Sequence, residues 1–363
     1  MKAAVLREVN QPVVVEDVQV DAPAPREVLV RTGASGVCHS DLHFVEGLYT
    51  TPMPCILGHE AAGVVEAVGE QVSYVRPGDS VISCLSVFCG TCEYCTRGQP
   101  YLCDRTAVTR RRDDPPRLRK DGEAITQFAQ LGSYAAEMLV HENALVKVDD
   151  DIPFPQLALI GCGATTGLGA VLNTARVEPG STVAVVGCGG IGIHCVQAAA
   201  LAGALRIIAI DTTEDKLGLA REFGATDVID ATAGNVAERI MDLTDGGVDY
   251  SFEAIGLKQT AEDCYNMLRP GGVATIIGMV PEGVKIELDA GNFLRRGRAI
   301  QGCTMGSNRF RTDMPRYIEF YKQGRLKLDE LVTQELALSE INKAFADMKA
   351  QSVRRSVITD FES

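Results

Sequence analysis

The chain has 363 residues, of which 46% are hydrophobic and 23% charged, so it is long enough for two domains. Its formal net charge of −13 disfavours nucleic acid and anionic membranes as partners, because both reward a basic surface. We see no long charge-free apolar run and therefore expect no membrane-spanning segment.

The first residues, MKAAVLREVNQPVVVEDVQV, alternate apolar and charged side chains, which predicts a first β-strand. They lack the apolar core and cleavage site of a signal peptide, so we expect a cytoplasmic protein. Reducing conditions there disfavour disulfides among the 12 cysteines and favour metal or redox chemistry. Short strand patterns and glycine turns up to Asp150 predict a β-barrel-like domain.

Three residues from distant motifs fit a catalytic zinc site. Cys38 lies in GVCHSDLH, His59 in LGHEAAG and Cys162 in IGCGATTGLG. Two cysteines and one histidine would leave the fourth position of a tetrahedral zinc ion open for substrate. The alternative is that all three are buried core residues.

Four further cysteines lie within FCGTCEYCTRGQPYLC: Cys89, Cys92, Cys95 and Cys103. Four thiolates in one short loop are typical of a closed, structural zinc site, whereas a redox pair needs two cysteines and iron–sulfur sites have other spacings. The following stretch, TRRRDDPPRLRK (109–120), contains six basic residues. It could attract an anionic substrate or form a solvated loop broken by its two prolines.

The stretch STVAVVGCGGIGIHCVQAAALAGALRIIAID predicts a strand, a glycine turn, a helix and a second strand ending at Asp211. Gly187, Gly189 and Gly192 form G-x-G-x-x-G, which places a pyrophosphate on the helix N-terminus. Asp211 would bind the adenosine ribose and repel a 2′-phosphate, and the residues that follow it, Thr212 and Thr213, supply no compensating cation. The pattern favours NAD over NADP.

Further strand patterns at GVDYSFEAIG (247–256) and GGVATIIGMV (271–280) alternate with helical ones, as a parallel doubly wound sheet requires. Near the end, Leu338, Ile341, Phe345 and Met348 recur at helical spacing and predict core packing.

Taken in order, GHEAAGVVEAVG, the four-cysteine lobe, CGATTGLG and VVGCGGIG make the chain resemble the zinc-dependent alcohol dehydrogenases of the medium-chain dehydrogenase/reductase superfamily. The resemblance implies an α/β protein with a GroES-like β-barrel-type catalytic domain (1–155 and 300–363) and a Rossmann doubly wound, parallel-sheet coenzyme domain (156–299). It also implies NAD, one catalytic and one structural zinc ion per subunit, and a homodimer or homotetramer. The expected reaction is reversible hydride transfer between an alcohol and NAD.

Individual roles follow from the same resemblance. Asp41 would orient the ligand His59, Glu60 would lie beside the zinc, and Ser40 and His43 would relay the proton with a cofactor ribose hydroxyl between them. The expected cofactor contacts are His39, Thr166, Gly187, Gly189, Gly190, Ile191, Gly192, Asp211, Lys216, Gly278, Met279 and Arg355, with Arg354 as the rival of Arg355 for the pyrophosphate.

Substrate preference rests on Tyr49 and Leu85, which match positions bordering the alcohol pocket. Leu85 stands where the family often has an aromatic residue, which predicts a wider pocket for bulky or secondary alcohols. The alternative activity is glutathione-dependent formaldehyde dehydrogenase. Ala107 stands where that class carries an arginine, and Tyr49 where it carries an acid, so both positions favour free alcohols.

Overall fold

The computed structural model describes residues 1–111, 113–149 and 151–363. The chain forms two compact units: Met1–Cys162 with Arg309–Ser363, and Gly163–Asn308. The sequence placed the two divisions earlier, after residues 155 and 299. The first division instead lies inside a continuous helical stretch, where no proline or polar linker marks it.

The strands follow in chain order: β1 (Lys2–Leu6), β2 (Val14–Asp17), β3 (Gln19–Val20), β4 (Glu27–Gly36), β5 (Cys55–Ile56), β6 (Ala61–Val68), β7 (Ser80–Ser83), β8 (Leu118–Lys120), β9 (Glu123–Ala124), β10 (Thr126–Gln127), β11 (Glu137–His141), β12 (Leu145–Val148), β13 (Thr182–Val186), β14 (Arg206–Asp211), β15 (Asp227–Asp230), β16 (Val248–Glu253), β17 (Leu268–Ile276), β18 (Ala299–Gly302), β19 (Val332–Ala337) and β20 (Arg355–Asp360).

The α-helices are α1 (His39–Val45), α2 (Glu93–Thr96), α3 (Phe154–Leu159), α4 (Thr165–Gly169), α5 (Gly192–Leu201), α6 (Glu214–Glu222), α7 (Val236–Thr244), α8 (Lys258–Asn266), α9 (Ala290–Arg296), α10 (Phe310–Lys322) and α11 (Ile341–Lys349). π-Helical turns at Ile160–Ala164 and Ala170–Ala175 flank α4. Short 3₁₀ turns lie at Pro100–Leu102, Thr106–Val108, Phe128–Gln130, Glu142–Ala144, Met305–Ser307, Asp329–Leu331 and Leu338–Glu340.

The first unit is built from mostly antiparallel strands. Its largest sheet has the order β12-β7-β6-β4-β20-β19, with β11 also paired to β4, and a second sheet has the order β10-β5-β1-β2. Apolar side chains from these strands form two buried clusters, because antiparallel strands alternate inward and outward positions. The C-terminal helical stripe joins one of them: Leu338 and Ile341 are fully buried and Phe345 nearly so. The predicted β-rich domain and core helix are confirmed.

The second unit contains a parallel sheet with the order β15-β14-β13-β16-β17-β18. Numbered from β13, this is the 3-2-1-4-5-6 order of a Rossmann fold. Strand β13 coincides with the predicted strand, and β14, β16 and β17 lie at the predicted places. Their continuous apolar runs are explained by burial on both faces of a parallel sheet. The predicted coenzyme-domain fold is confirmed.

The expectation that the chain has no long charge-free apolar run was wrong. The helical stretch Phe154–Ala175 contains no charged residue and is long and apolar enough to cross a membrane. Its most apolar window is 83% buried within the protein, as in the core helices of soluble proteins. The stretch is therefore weak evidence for a membrane span.

Residues 113–115 of the basic stretch 109–120 are exposed, as expected of a solvated loop, but four of the six basic residues are held in ion pairs. Arg110 donates to Glu27 (2.9 Å) and Asp21 (2.9 Å), and the partly buried Arg117 also donates to Glu27 (2.7 Å). Arg119 pairs with Asp21, and Lys120 pairs with Glu16 (2.7 Å). These ion pairs tie the segment to the strands near the N-terminus and neutralise much of its charge. Arg112 lies outside the described residues.

Candidate active site

The ligand set predicted for a catalytic zinc ion is assembled inside the first unit. Cys38 follows β4 and His59 precedes β6, and these strands pair antiparallel, so the two residues lie side by side. Cys162 lies in the π-helical turn Ile160–Ala164, a conformation often found at functional sites. At the adjacent Gly161, an added Cβ would lie 2.9 Å from the Ser83 carbonyl oxygen, so the turn packs directly on β7.

The donor chemistry and spacing of this set fit zinc. The Sγ atoms of Cys38 and Cys162 and a ring nitrogen of His59 all lie within 4.8 Å of one another. Zinc bonds of about 2.0–2.3 Å in a tetrahedron require ligand separations of about 3.5–3.8 Å. All three side chains are buried, with 7%, 1% and 5% exposure for Cys38, His59 and Cys162. The neighbouring Cys162 and, against the effect of burial, His59 lower the pKa of the Cys38 thiol, which favours the thiolate that metals bind.

Asp41 is placed as a partner of the ligand histidine. Its Oδ1 accepts hydrogen bonds from the Gly58 amide (3.0 Å) and from Nδ1 of His59 (3.2 Å). Since a carboxylate only accepts, Nδ1 carries the proton and Nε2 is left as the ligand atom. The Tyr134 hydroxyl donates to Oδ2 of Asp41 at 2.7 Å. Burial and the Asp41 carboxylate raise the pKa of Tyr134, so the hydroxyl keeps its proton.

Glu60 and Arg355 form a buried ion pair in the same unit. An added Cβ at Gly36 would lie 2.6 Å from the Glu60 carboxylate, so the glycine leaves room for this carboxylate. The predicted contact of Arg355 with a pyrophosphate would require it to share or exchange this partner. Its rival Arg354 is exposed and donates to the Glu330 carbonyl (3.3 Å).

The four cysteines of the lobe converge as predicted. Their Sγ atoms all lie within 4.8 Å of one another, with Cys89 and Cys95 3.9 Å apart and Cys92 and Cys103 3.8 Å apart. Sulfur ligands of a tetrahedral zinc ion are separated by about 3.8 Å. Backbone amides of Cys92 and Arg105 donate to the sulfurs at 3.2 and 3.3 Å. Four protein ligands leave no position for substrate, which fits a structural ion.

The predicted relay and pocket residues lie on and after α1. His39 is exposed and Ser40 and His43 are partly exposed. The His43 ring lies 5.4 Å from that of His39 and stacks on Tyr49 at 6.1 Å. Burial, followed by the charge of His39, lowers the pKa of His43. Leu85 is half-buried and packs against the second apolar cluster of the unit.

The glycine turn of the second unit is shaped as a pyrophosphate cradle. Gly187 adopts a φ of +90°, which side-chain-bearing residues rarely reach. An added Cβ at Gly192 would lie 1.6 Å from the Gly187 carbonyl oxygen, whereas nothing lies within 4 Å of one at Gly189. Gly192 therefore allows the helix to approach the turn, and Gly189 leaves open space where a ligand can reach the backbone. Between them lie Gly190 and Ile191, which are partly exposed.

Asp211 ends β14 next to this turn. Its Oδ2 accepts from the Cys188 amide (2.8 Å) and its Oδ1 from the amides of Thr212 (2.8 Å) and Thr213 (3.2 Å). Lys216 lies 3.9 Å from the same carboxylate.

Two other predicted cofactor contacts lie after β17. An added Cβ at Gly278 would lie 2.1 Å from the Gly256 amide nitrogen, and one at Gly256 would lie 2.6 Å from the Met279 carbonyl oxygen. The carboxyl ends of β16 and β17 are thus in contact at the edge where Rossmann folds bind ligands. Thr166 is buried on α4 of the same unit.

Comparison with known proteins identifies the family. The family described as "Alcohol dehydrogenase GroES-like domain" matches residues 24–150, and "Zinc-binding dehydrogenase" matches residues 190–323. The chain is 38% identical to "Alcohol dehydrogenase class-3" of Dictyostelium discoideum, over 98% of this chain and 97% of that one. The chain belongs to the zinc-dependent alcohol dehydrogenases of the medium-chain dehydrogenase/reductase superfamily.

Two further family members resemble the chain over its whole length. "Probable S-(hydroxymethyl)glutathione dehydrogenase 1" of Schizosaccharomyces pombe is 38% identical over 98% of this chain and 96% of its own. The crystal structure of benzyl alcohol dehydrogenase from Acinetobacter calcoaceticus superposes with a TM-score of 0.93, at 31% identity, over 99% of both chains. As a zinc alcohol dehydrogenase, the chain is an oxidoreductase that uses zinc and a nicotinamide dinucleotide.

Sequence reasoning missed two residues near the ligand set. The Phe128 ring meets the His59 ring edge to face at 5.6 Å and packs on Phe44 at 4.5 Å. Tyr134 contacts Asp41 across 93 residues of sequence, which no local spacing indicates. The only local signal is that both are aromatic residues within the stretch QFAQLGSY.

We expect two zinc ions per purified chain, one for each ligand set. Cys162→Ser should reduce the count to about one and lower kcat/KM at least roughly 100-fold, because Lewis-acid stabilisation is worth several kcal/mol. Cys92→Ser should also lose about one ion, but with a lower unfolding temperature, because the lobe loses its cross-link. Elemental analysis and thermal unfolding of the same samples measure both effects. A wild-type count of one would contradict the assignment of two sites.

Proposed function

We propose that this chain is an NAD-dependent dehydrogenase of free alcohols, with Cys38, His59 and Cys162 as the ligands of its catalytic zinc ion. The observation that carries the proposal is the buried set of three donors that, among the described residues, has no fourth cysteine or histidine ligand. Of the two neighbouring carboxylates, Asp41 bonds to Nδ1 of His59 and Glu60 is paired with Arg355. An open coordination position is what separates catalytic from structural zinc sites.

When bound, zinc supplies Lewis-acid polarisation of the alcohol oxygen and NAD accepts the hydride. The chain itself positions the ligands and moves the proton. Asp41 holds His59 in the tautomer that presents Nε2. Ser40, two residues beyond the ligand Cys38, is proposed to take the alcohol proton, and His43 to pass it to water from its half-exposed position on α1.

We propose aromatic or bulky alcohols as substrates. The Phe128 ring meets the ring of His59 edge to face at 5.6 Å, Phe44 packs on Phe128 at 4.5 Å, and Tyr49 lies next to Phe44 at 5.9 Å. Leu85 supplies an aliphatic surface where the family often has an aromatic one. Such a wall favours apolar substrate groups, because their burial is driven by the hydrophobic effect.

The alternative is oxidation of the glutathione adduct of formaldehyde, which is favoured by the name of the Schizosaccharomyces pombe relative. Recognition of that anionic adduct requires cations near the substrate entrance. Ala107 and Tyr49 replace the charged residues of that class, and Arg110 and Arg117 are already paired with Glu27. Free alcohols are therefore the proposal, and the glutathione adduct is the alternative.

The preference for NAD is proposed from Asp211. Three backbone amides hold its carboxylate at the end of β14, where it would face the adenosine ribose and repel a 2′-phosphate. Lys216 lies beside this carboxylate and partly balances it. We propose His39, Thr166, Gly278, Met279 and Arg355 as further cofactor contacts, as the family resemblance implies.

We further propose a homodimer or homotetramer in the cytoplasm. Strand β18 is an edge strand of the coenzyme sheet, paired only with β17 among the described strands. Beside it in sequence, Leu294 is 89% exposed. An open edge next to exposed apolar side chains suits pairing with a second copy.

Asp211→Asn should shift cofactor choice. The loss of a charged hydrogen-bond partner should reduce the ratio of kcat/KM for NAD to that for NADP by about 10- to 100-fold. The matched control is Asp230→Asn, at the register position opposite Asp211 on β15, and it should leave the ratio unchanged. Steady-state rates with both cofactors measure the effect, and equal ratios in all three proteins would refute the role of Asp211.

His43→Gln should slow alcohol oxidation by about 100-fold at neutral pH, because glutamine cannot accept the proton. Since its pKa is lowered in the protein, His43 stays neutral below the usual histidine range. The wild-type rate should therefore fall only as the pH drops through that lowered pKa, and this step should vanish in the variant. Imidazole in the buffer should restore part of the rate. An identical pH profile in both proteins would remove His43 from the relay.

The proposed function is tested by NADH formation with primary, secondary, aromatic and bulky cyclic alcohols, and with formaldehyde plus glutathione. We expect turnover of free alcohols, with aromatic ones ahead of ethanol, and loss of turnover when zinc is chelated. Turnover of the glutathione mixture alone would establish the alternative activity.

A further inference from the structure

The side chain of Tyr134 reaches from the core of the first unit to the candidate zinc site. The residue is fully buried, and its ring packs edge to face against Phe345 at 6.3 Å within the apolar cluster. Its amide donates to the Leu57 carbonyl (3.1 Å), and the Ser133 amide donates to the Gly58 carbonyl (3.0 Å). The backbone of Tyr134 is therefore fixed to the segment that leads directly into His59.

The hydroxyl of Tyr134 completes the hydrogen bonding of Asp41. It donates to Oδ2 at 2.7 Å, whereas Oδ1 accepts from the Gly58 amide and from His59. Each carboxylate oxygen thus has its own donors, and rotation of the carboxylate would break bonds on both sides. The Cys38 amide also points at the Tyr134 oxygen, at 3.4 Å. One hydroxyl therefore contacts both the carboxylate that orients one ligand and the backbone of another.

We propose that Tyr134 is a positioning residue of the catalytic zinc site, whose hydroxyl fixes the Asp41 carboxylate and thereby the orientation of His59. This inference rests on the proposed function, because it takes Cys38, His59 and Cys162 as the metal ligands. Its consequence is slower loss of zinc from that set. Partners that orient ligand residues typically change metal affinity 10- to 100-fold.

Packing alone does not explain why the residue at position 134 carries a hydroxyl group. Phenylalanine would fill the same space between Phe345 and the strands, whereas the hydroxyl adds a polar group to an apolar cluster. Asp41 is fully buried, and within the described residues its Oδ2 receives no other hydrogen bond. Removing the hydroxyl would leave a buried carboxylate oxygen unsatisfied, and the carboxylate could turn away from His59 to reduce that cost.

The test measures zinc release from the purified holoenzyme to the coloured chelator 4-(2-pyridylazo)resorcinol. Wild-type protein should release its two ions in separate phases, which Cys162→Ser and Cys92→Ser assign. Tyr134→Phe should accelerate the phase of the three-ligand set by about 10- to 100-fold. The phase of the four-cysteine set should not change, and it serves as an internal control.

Tyr265→Phe is the matched control variant. Tyr265 is equally buried, but among the described residues its hydroxyl has no hydrogen-bond partner, and it lies in the other unit. This variant should release both ions at wild-type rates. The double variant Tyr134→Phe/Asp41→Asn should release zinc no faster than Asp41→Asn alone, because Tyr134 acts through Asp41.

Wild-type phases in Tyr134→Phe, or equal acceleration of both phases, would overturn the proposal. The proposal would also be overturned if the Tyr134→Phe protein failed to fold while the Asp41→Asn protein folded. The hydroxyl would then be needed for the stability of the core. A wild-type protein that holds a single ion, in the four-cysteine set, would instead overturn the proposed function.

Discussion

The structure of the first unit depends on one constraint, which is the free-energy cost of burying two thiols and an imidazole at one point. Cys38 and His59 are 21 residues apart in the chain, Cys162 lies 103 residues beyond His59, and all three are buried. Polar groups buried without partners are costly, and a shared metal ion would give these three side chains a common partner. The pairing of β4 with β6 and the contact of Gly161 with β7 bring the three residues together. In the proposed function, a zinc ion would offset this cost and would keep one coordination position open for substrate.

The two carboxylates beside this cluster have separate tasks because they have separate partners. Asp41 accepts hydrogen bonds from a ligand, an amide and a hydroxyl, and so it fixes the orientation of His59. Glu60 is paired with the buried Arg355, which limits its freedom to compete for the metal. In the proposed function, chemistry would take place at the open position and along the path through Ser40 and His43. The closed four-cysteine set, by contrast, cross-links a loop and contributes stability alone.

Features encoded by local spacing could be predicted from the sequence. The glycine turn followed by Asp211 gave the coenzyme fold, because strand, turn, helix and acid each have a local pattern. The spacing of the four cysteines likewise predicts their metal site. Contacts between distant residues could not be predicted. Nothing near Tyr134 indicates Asp41, and nothing near Arg110 indicates Glu27, since both pairings depend on which strands become neighbours. The charge-free stretch 154–175 could have been found by inspection of the sequence.

The central claim is that this chain holds a zinc ion with an open position between Cys38, His59 and Cys162. Crystals of the purified protein, with diffraction data collected on both sides of the zinc absorption edge, test it most directly. We predict two anomalous peaks per chain, one within the four cysteines and one bonded to Sγ of Cys38, Nε2 of His59 and Sγ of Cys162. A single peak, within the four cysteines, would contradict the account.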